Sequence, residues 1–560
     1  MERIKLLQHK APLFIIAIIL FMIPFFWFKP GEIDLGGDSG RLYFYDPVSY
    51  FFTSTLYTVS SSSVGGPTLS YVNIPFIYLL IALKYIFTSP TILISGLYGI
   101  TLSLGFIFCY LIIMELTESK NNFYAAIAGG LAYVFFPALI DTWRHTLLTF
   151  NQVFLNPLIF YLLLKYFKTS RLYMLFVIVI ITFIFSTNFS FFAAPGLFAF
   201  YPISILFLVL YTRIILKRTI IVKHILLILF LFLGIQAFHL ILLIGSIFSF
   251  GNNANATIFS DAGKFDRGLS YFSAIAPSIK ASINLLALPQ NSTLKFFSNM
   301  FVVFPFILII GLLYNKRNSF ALSNRQKTIL LTTFFFLVVL FFTTANITNT
   351  WLFFYKWLFN IPGFSMFRNF FGQWIYAYMF FYAILFGQAF YVVLQTLHYS
   401  QIRLKKLLTF LLISVPILIL VINATPLIKG DIVRQPIWQS NNVGAVFQMD
   451  PDYEQALSFV RSLPAEGRVL TLPLTDYGYQ IIAGENGGAY LGPSAISYLA
   501  GKKDFSGYNE LLGYQNLMPN LIKNGEIETF KRILGVINVK YAFYNADPIV
   551  YDQFPSFPYR

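Results

Sequence analysis

Cysteine is almost missing from this sequence, with Cys109 standing alone among 560 residues. An intramolecular disulfide is excluded and a cysteine-based zinc site is disfavoured, so any exported part of the chain folds without covalent staples. Histidine is scarce at 5, and Asp, Glu, Lys and Arg together make up only 11% of the residues, less than half the share usual in a water-soluble domain. Carboxylates are the rarer sign, 23 against 39 basic residues, for a formal charge of +16. The basic residues gather in short clusters between apolar runs, as cytoplasmic anchors of membrane helices do. A nucleic-acid surface would want a continuous basic face on a soluble domain, and no nucleic-acid partner is expected.

What the chain has instead is apolar length: 57% of it is hydrophobic, and water cannot be the solvent for most of such a sequence. It reads as an integral membrane protein. The basic stretch Met1 to Lys10 precedes an apolar run from Ala11 to Phe28 that ends in Trp27, Phe28 and Lys29. Those are not the small residues of a cleavage site, so the run is expected to be an uncleaved anchor with its N-terminus inside. Further runs long enough to span occur near Ile92–Met114, Tyr124–Ile140, Leu147–Tyr166, Leu172–Phe185, Phe191–Tyr211, His224–Phe248, Met300–Tyr314, Thr328–Thr344, Ile375–Leu397 and Leu407–Ala424. With the first anchor this makes about eleven transmembrane helices.

The run Val72–Phe87 carries Asn73 and Pro75 at one end and Lys84 within it. Were it to cross the bilayer, four basic clusters would all fall outside: Lys165 with Lys168 and Arg171, Arg213 to Lys223, Lys316 to Lys327, and Arg403 to Lys406. Laid along the outer interface as an amphipathic segment, it puts all four inside, in keeping with the positive-inside tendency. The expected topology is therefore a multi-pass protein of the cell (plasma) membrane with a cytoplasmic N-terminus. Residues 29–91 form a long first outer loop holding an interfacial helix. The division by sequence is a membrane domain over 1–425 and a soluble extracytoplasmic domain over 426–560.

After Ala424 the apolar runs shorten and Gly, Pro, Asp and Glu rise. Asp452–Leu463 has Tyr453, Ala456, Leu457 and Val460 at helical spacing, with Pro464 as a stop. Arg468–Leu474 and Val539–Tyr544 have the composition of short buried strands, and Glu526–Leu534 that of a helix ending at Gly535. An α/β or α+β module of about 130 residues is long enough to fold alone.

Three aspartates, Asp34, Asp38 and Asp46, crowd into the first outer loop. Asp38 lies in Gly36-Gly37-Asp38-Ser39-Gly40, where small neighbours allow a tight turn and leave the carboxylate unscreened; Asp46 precedes Pro47. A solvated loop whose Asp and Gly residues only make turns has the same composition. A second outer stretch, Asn346–Trp374, carries Gly363 to Phe367 followed by Arg368. Arg368 either snorkels from the end of a span or presents its planar fork to a phosphate at headgroup depth. Arg144 and His145 follow Asp141 on the same side, and Arg144 either pairs with Asp141 or contacts substrate. A carboxylate together with outer cations suits chemistry on a phosphate-linked lipid: the carboxylate acts as general base toward a hydroxyl while Arg or Lys stabilises the departing phosphate.

With these features the chain resembles the GT-C superfamily of integral-membrane glycosyltransferases, especially members akin to the mannosyl- and arabinofuranosyltransferases that carry a soluble C-terminal domain. The likeness rests on Gly37-Asp38-Ser39 in the long first outer loop, on Pro362-Gly363 to Phe367-Arg368 before a late span, and on the tail motifs Gly467-Arg468-Val469-Leu470 and Val539-Lys540-Tyr541. The fold it implies is GT-C-like and polytopic α-helical, with a C-terminal extracytoplasmic α/β or α+β domain. The function it implies is inverting transfer of a hexosyl or pentosyl unit from a polyprenyl-phosphate donor to an outer-face glycan, lipid or protein acceptor.

By position the resemblance assigns Asp38 as catalytic base with Asp46 in reserve, Asp34 as a loose match to a second acidic residue, and Arg368, Arg144 and His145 to the donor phosphate. No cofactor is certain. The three aspartates would at most hold a divalent cation, Mg or Mn, and such sites usually need more oxygen ligands than this loop supplies. Two other classes fit the same composition: a transporter or flippase of lipid-linked glycans, whose polar residues would line a path through the bilayer, and a non-catalytic membrane scaffold that binds an envelope polymer.

Overall fold

The computed structural model describes residues 2–35, 41–56, 73–117, 123–136, 147–186, 195–218, 223–231, 233–234, 237, 323–345, 348–361, 364–367, 370–399, 404–434, 443–476, 479–493, 495–508, 518 and 520–546. The expected span Met300–Tyr314 and most of His224–Phe248 lie outside them, as does the loop Gly251–Ser298. The contacts divide the chain into two compact units: Met1–Met22 with Gly99–Thr142 and Leu148–Ile428, and Ile23–Tyr98 with Trp143–Leu147 and Lys429–Arg560. The tail boundary at 428/429 lies close to the compositional break after Ala424. Residues 29–91, in contrast, group with the tail and not with the helical unit.

The first unit is helical. Three described helices, Pro90–Thr117, Asn324–Thr343 and the stretch Gln373–Leu397, are long and apolar enough to cross a membrane by length and composition. Helix Phe370–Tyr399 is its centre and packs most extensively against Asn324–Thr343 and Phe123–Val134. Between the last pair, Gly387 faces Ala125 O and Ile113, and a Cβ there would sit 2.7 Å from Ile113 Cδ1. Close backbone approach through small residues is how helices associate where lipid removes the hydrophobic drive. Phe160, Phe200, Phe207, Phe335, Phe380 and Phe381 then interlock, with ring centroids 4.9–6.4 Å apart.

The second unit joins the segment 23–98 to the tail through strands. β1 (Ile33–Asp34) pairs antiparallel with β2 (Val446–Phe447), and Leu35 N–H donates to Ala445 O at 3.0 Å. Ile33, Leu35, Val446 and Phe447 are all under 5% exposed, and full burial of such side chains stabilises by about 1.5–3 kcal/mol each. A three-stranded parallel sheet follows in the order β6 (Asp504–Tyr508), β3 (Arg468–Asp476), β7 (Val539–Tyr544), beside an antiparallel pair of β4 (Tyr479–Ala483) with β5 (Ala489–Pro493). Parallel neighbours need crossovers. Helix Ile527–Val536 leads into β7, and its Phe530, Ile533 and Leu534 pack on the core of Leu470, Leu474, Phe505, Met518 and Ile537.

The tail helix expected over 452–463 occupies Pro451–Ser462 with Asp450 as its cap, and the strand expected over 539–544 is β7. Helix Ile74–Ile86 forms on the run Val72–Phe87, with Asn73 before it and Pro75 in its first turn. Tyr78, Tyr85 and Ile86 on it are exposed.

Candidate functional site

Of the three aspartates between residues 29 and 91 singled out by sequence, the structure describes Asp34 and Asp46; Asp38 lies outside the described residues, as do Arg144, His145 and Arg368. Asp34 ends β1 and is buried. Its Oδ2 accepts from Tyr98 OH at 2.5 Å and forms an ion pair with Arg41 Nη1, which also donates to Tyr98 OH at 2.6 Å. Asp34 and Arg41 are each 2% exposed and Tyr98 is 0% exposed. Burial disfavours the Arg41 charge, but the surrounding Asp34, Tyr98 and Tyr43 outweigh it and hold the guanidinium protonated above its ordinary range. Trp27 and Phe28 cover Tyr98, with ring centroids 5.6 and 6.5 Å away.

Asp46 is placed differently. It caps the short helix Pro47–Tyr50, its Oδ1 accepting from Ser49 N–H at 3.1 Å, and it meets Lys84 Nζ at 3.4 Å. Its side chain is 34% exposed. On the same face Tyr50 lies 4.6 Å from Tyr498 of the tail helix Ala495–Ala500. Asp46 is thus open to solvent and held by one neutral and one cationic donor, whereas Asp34 is enclosed.

A third carboxylate, Glu32, was not singled out by the sequence. Burial pushes it up, but the Lys29 N–H, Arg434 and Asn486 together carry its carboxyl below the ordinary value. Arg434 Nη2 donates to Glu32 Oε2 at 2.9 Å and to Trp27 O at 2.8 Å, and Asn486 reaches Glu32 Oε1 at 3.3 Å. Gly430, at φ +78°, lets the chain pass Trp27: a Cβ there would lie 2.8 Å from the indole. Partners 402 residues apart leave no local signal in a sequence, and Tyr98 sits in an apolar run where nothing marks it as polar-facing.

In the helical unit the segment leading to Arg368 is firmly seated. Phe364–Phe367 forms a 3-10 turn, and Tyr355 OH donates to Phe367 O at 2.6 Å while Trp374 Nε1 donates to Tyr355 OH at 3.2 Å. Phe342 stacks on Trp374 at 4.4 Å. In the tail, Tyr490 is 0% exposed and belongs to the core; the side chains of Tyr477 and Tyr479 lie outside the described residues.

Among the described residues no three His, Cys, Asp or Glu gather as a cation would need. Both described aspartates are already held by cationic side chains. The described residues do not fit a divalent cation, and no chemical step below runs through one.

No family model and no curated protein matches this chain. Among solved structures, a cryo-EM structure of arabinofuranosyltransferase AftD from mycobacteria matches 89% of the chain at 10% identity, with a TM-score of 0.52. The chain spans about a third of the length of that protein, 31%. The likeness is one of fold: mostly helical, with three described helices long and apolar enough to cross a membrane.

Proposed function

We propose that this chain is a membrane glycosyltransferase that moves a sugar from a polyprenyl-phosphate donor to an outer-face glycan, lipid or protein acceptor, with inversion at the transferred carbon. The observation that carries this reading is the structural match, over nearly the whole chain, to a protein named as an arabinofuranosyltransferase. In the proposed reaction Asp38 takes the proton from the acceptor hydroxyl as its oxygen attacks the anomeric carbon, and the bond to the lipid phosphate breaks on the opposite face. A phosphate leaving group needs little protonation, so the demand on the protein is positive charge beside it. Arg368 is assigned to that phosphate, with Arg144 and His145 beside it in role. Asp46, solvent-accessible in the structure, is the reserve base.

Orientation belongs to the same proposal: the first outer loop and tail face the extracytoplasmic side, where lipid-linked sugars are presented to envelope acceptors. The test uses the full-length protein in lipid nanodiscs, farnesyl-phosphate-linked radiolabelled pentoses and hexoses as donors, and native membranes as acceptor. Asp38→Asn is expected to abolish transfer while leaving yield and thermal midpoint unchanged. Full activity in that variant would remove Asp38 as base, and full activity in the double variant with Asp46→Asn would remove the glycosyltransferase mechanism as written.

A further inference from the structure

The helical unit carries a cavity of about 430 Å³, within the usual range for a ligand pocket, about 300–1,000 Å³. Leu116 and Thr117 enter its wall from the end of helix Pro90–Thr117, Ile215 from just beyond helix Pro195–Ile214, and Ser323, Asn324 and Arg325 from the start of helix Asn324–Thr343. Two of these helices are long and apolar enough to cross a membrane, and the cavity lies at the last residue of one and the first residue of the other. Helices that cross end at headgroup depth. One wall is charged. Arg325 Nη1 donates to Gln395 Oε1, and Arg325 Cζ lies 4.5 Å from the centroid of the Tyr391 ring, so a neutral acceptor and an aromatic face fix the plane of the guanidinium. Among the described residues no carboxylate pairs with it. Glu115, beside Leu116, is already held by Lys165 at 2.7 Å and Lys168 at 3.1 Å, and Arg218 donates to Lys168 O. Positive charge therefore outweighs negative around this end of the unit.

We propose that this cavity holds the phosphate of an anionic phospholipid, with Arg325 as the residue that reads the charge. A guanidinium fixed in plane presents its remaining N–H donors as a fork that matches two phosphate oxygens. A half-buried cation at the end of a span, with no protein counter-ion, is costly unless a ligand supplies the opposite charge. Asn324, the first residue of the same helix, adds a neutral donor, and the helix start contributes the positive end of its dipole. Leu116 and Ile215 give the glycerol and the first methylenes an apolar wall. A zwitterionic headgroup would bring a second cation to a wall that is already positive, whereas an anionic one would not, and basic pockets between membrane helices select headgroups on this ground. Free phosphate satisfies the same fork, but the apolar wall and the headgroup depth suit the lipid. Such a site is independent of Asp38 and of sugar transfer.

The test is native mass spectrometry of the delipidated full-length protein, titrated in detergent with dioleoylphosphatidylglycerol or dioleoylphosphatidylcholine, with glycerol phosphate as a soluble competitor. Phosphatidylglycerol is expected to bind about tenfold more tightly than phosphatidylcholine. Arg325→Gln should weaken phosphatidylglycerol by about tenfold, the worth of a charge-assisted hydrogen bond, and leave phosphatidylcholine unchanged. Arg325→Lys, which keeps the charge without the fork, should fall between. Asn324→Asp suits a helix start but sets a carboxylate beside Arg325, and it should lower phosphatidylglycerol affinity by about three- to fivefold at an unchanged thermal midpoint. Should Arg325→Gln not fold, Asn324→Asp decides. Equal affinity of the parent for the two lipids, or unaltered phosphatidylglycerol binding in the deciding variant, would overturn the site. Displacement of phosphatidylglycerol by glycerol phosphate at equal concentration would overturn the lipid and leave a pocket for a soluble phosphate. A merely structural Arg325, tying its helix to Gln395 and Tyr391, predicts a lowered thermal midpoint in Arg325→Gln with the preference between lipids intact, and that result too would overturn the proposal.

Discussion

Removing the Asp34 carboxylate would leave the Arg41 guanidinium, 2% exposed, facing a gap where its counter-ion had been. Loss of one partner of a buried pair typically costs about 3–5 kcal/mol, since the remaining charge keeps its desolvation penalty. Asp46 carries no such liability: at 34% exposure and 3.4 Å from Lys84, its pair is of the solvent-screened kind worth about 0–1 kcal/mol, and asparagine serves equally well as a helix cap. Asp34→Ala is therefore expected to lower the thermal midpoint sharply in detergent, and Asp46→Asn to leave it nearly unchanged. Equal shifts in the two variants would mean that burial does not separate these carboxylates. The three aspartates look alike in sequence, because the partner that commits Asp34 includes Tyr98, 64 residues downstream, and local composition carries no trace of that contact.

At the scale of elements, the signals strong enough to be legible were periodic or chemically abrupt. Helix Pro451–Ser462 announces itself by apolar spacing and a proline stop, and β7 by its composition, although its residues alternate between half-buried and exposed instead of lying buried as expected, because it is an edge strand of its sheet. The antiparallel pair β1–β2 was invisible, because each strand has only two residues and its pairing depends on long-range closure. The seating of Phe367 by Tyr355 was likewise hidden. Arg368, proposed to bind the donor phosphate, follows that seat directly in sequence. Tyr355→Phe removes the hydroxyl that binds Phe367 O and receives Trp374 Nε1. It should raise donor KM by about three- to tenfold, the worth of about one hydrogen bond, with kcat nearly constant. A change in kcat at unaltered KM would instead tie this turn to the chemical step.

For the molecule as a whole, the division into units alters how the tail is understood. Composition alone drew a line after Ala424 and left residues 29–91 with the membrane domain, but packing gathers 23–98 with 429–560. Glu32 with Arg434 and Asn486, β1 with β2, and Tyr50 with Tyr498 all cross that division in sequence while lying inside one unit. Hydropathy reports which segments avoid water but not which polar segments fold together, so the helices were legible and the partnership of loop and tail was not. Segments that fold into one unit share a compartment, and the proposed orientation puts this one outside, in keeping with the positive-inside tendency. Cys109 is buried at 0% exposure, so single added cysteines can be read against a quiet background. Glu466, whose side chain is 85% exposed, is expected as Glu466→Cys to react with a membrane-impermeant maleimide on intact cells. Lys217→Cys, in a basic cluster between helices, should react only after permeabilisation. Labelling of Lys217→Cys on intact cells would invert the map, place the first loop and tail in the cytoplasm, and remove the outer-face acceptor from the proposed reaction.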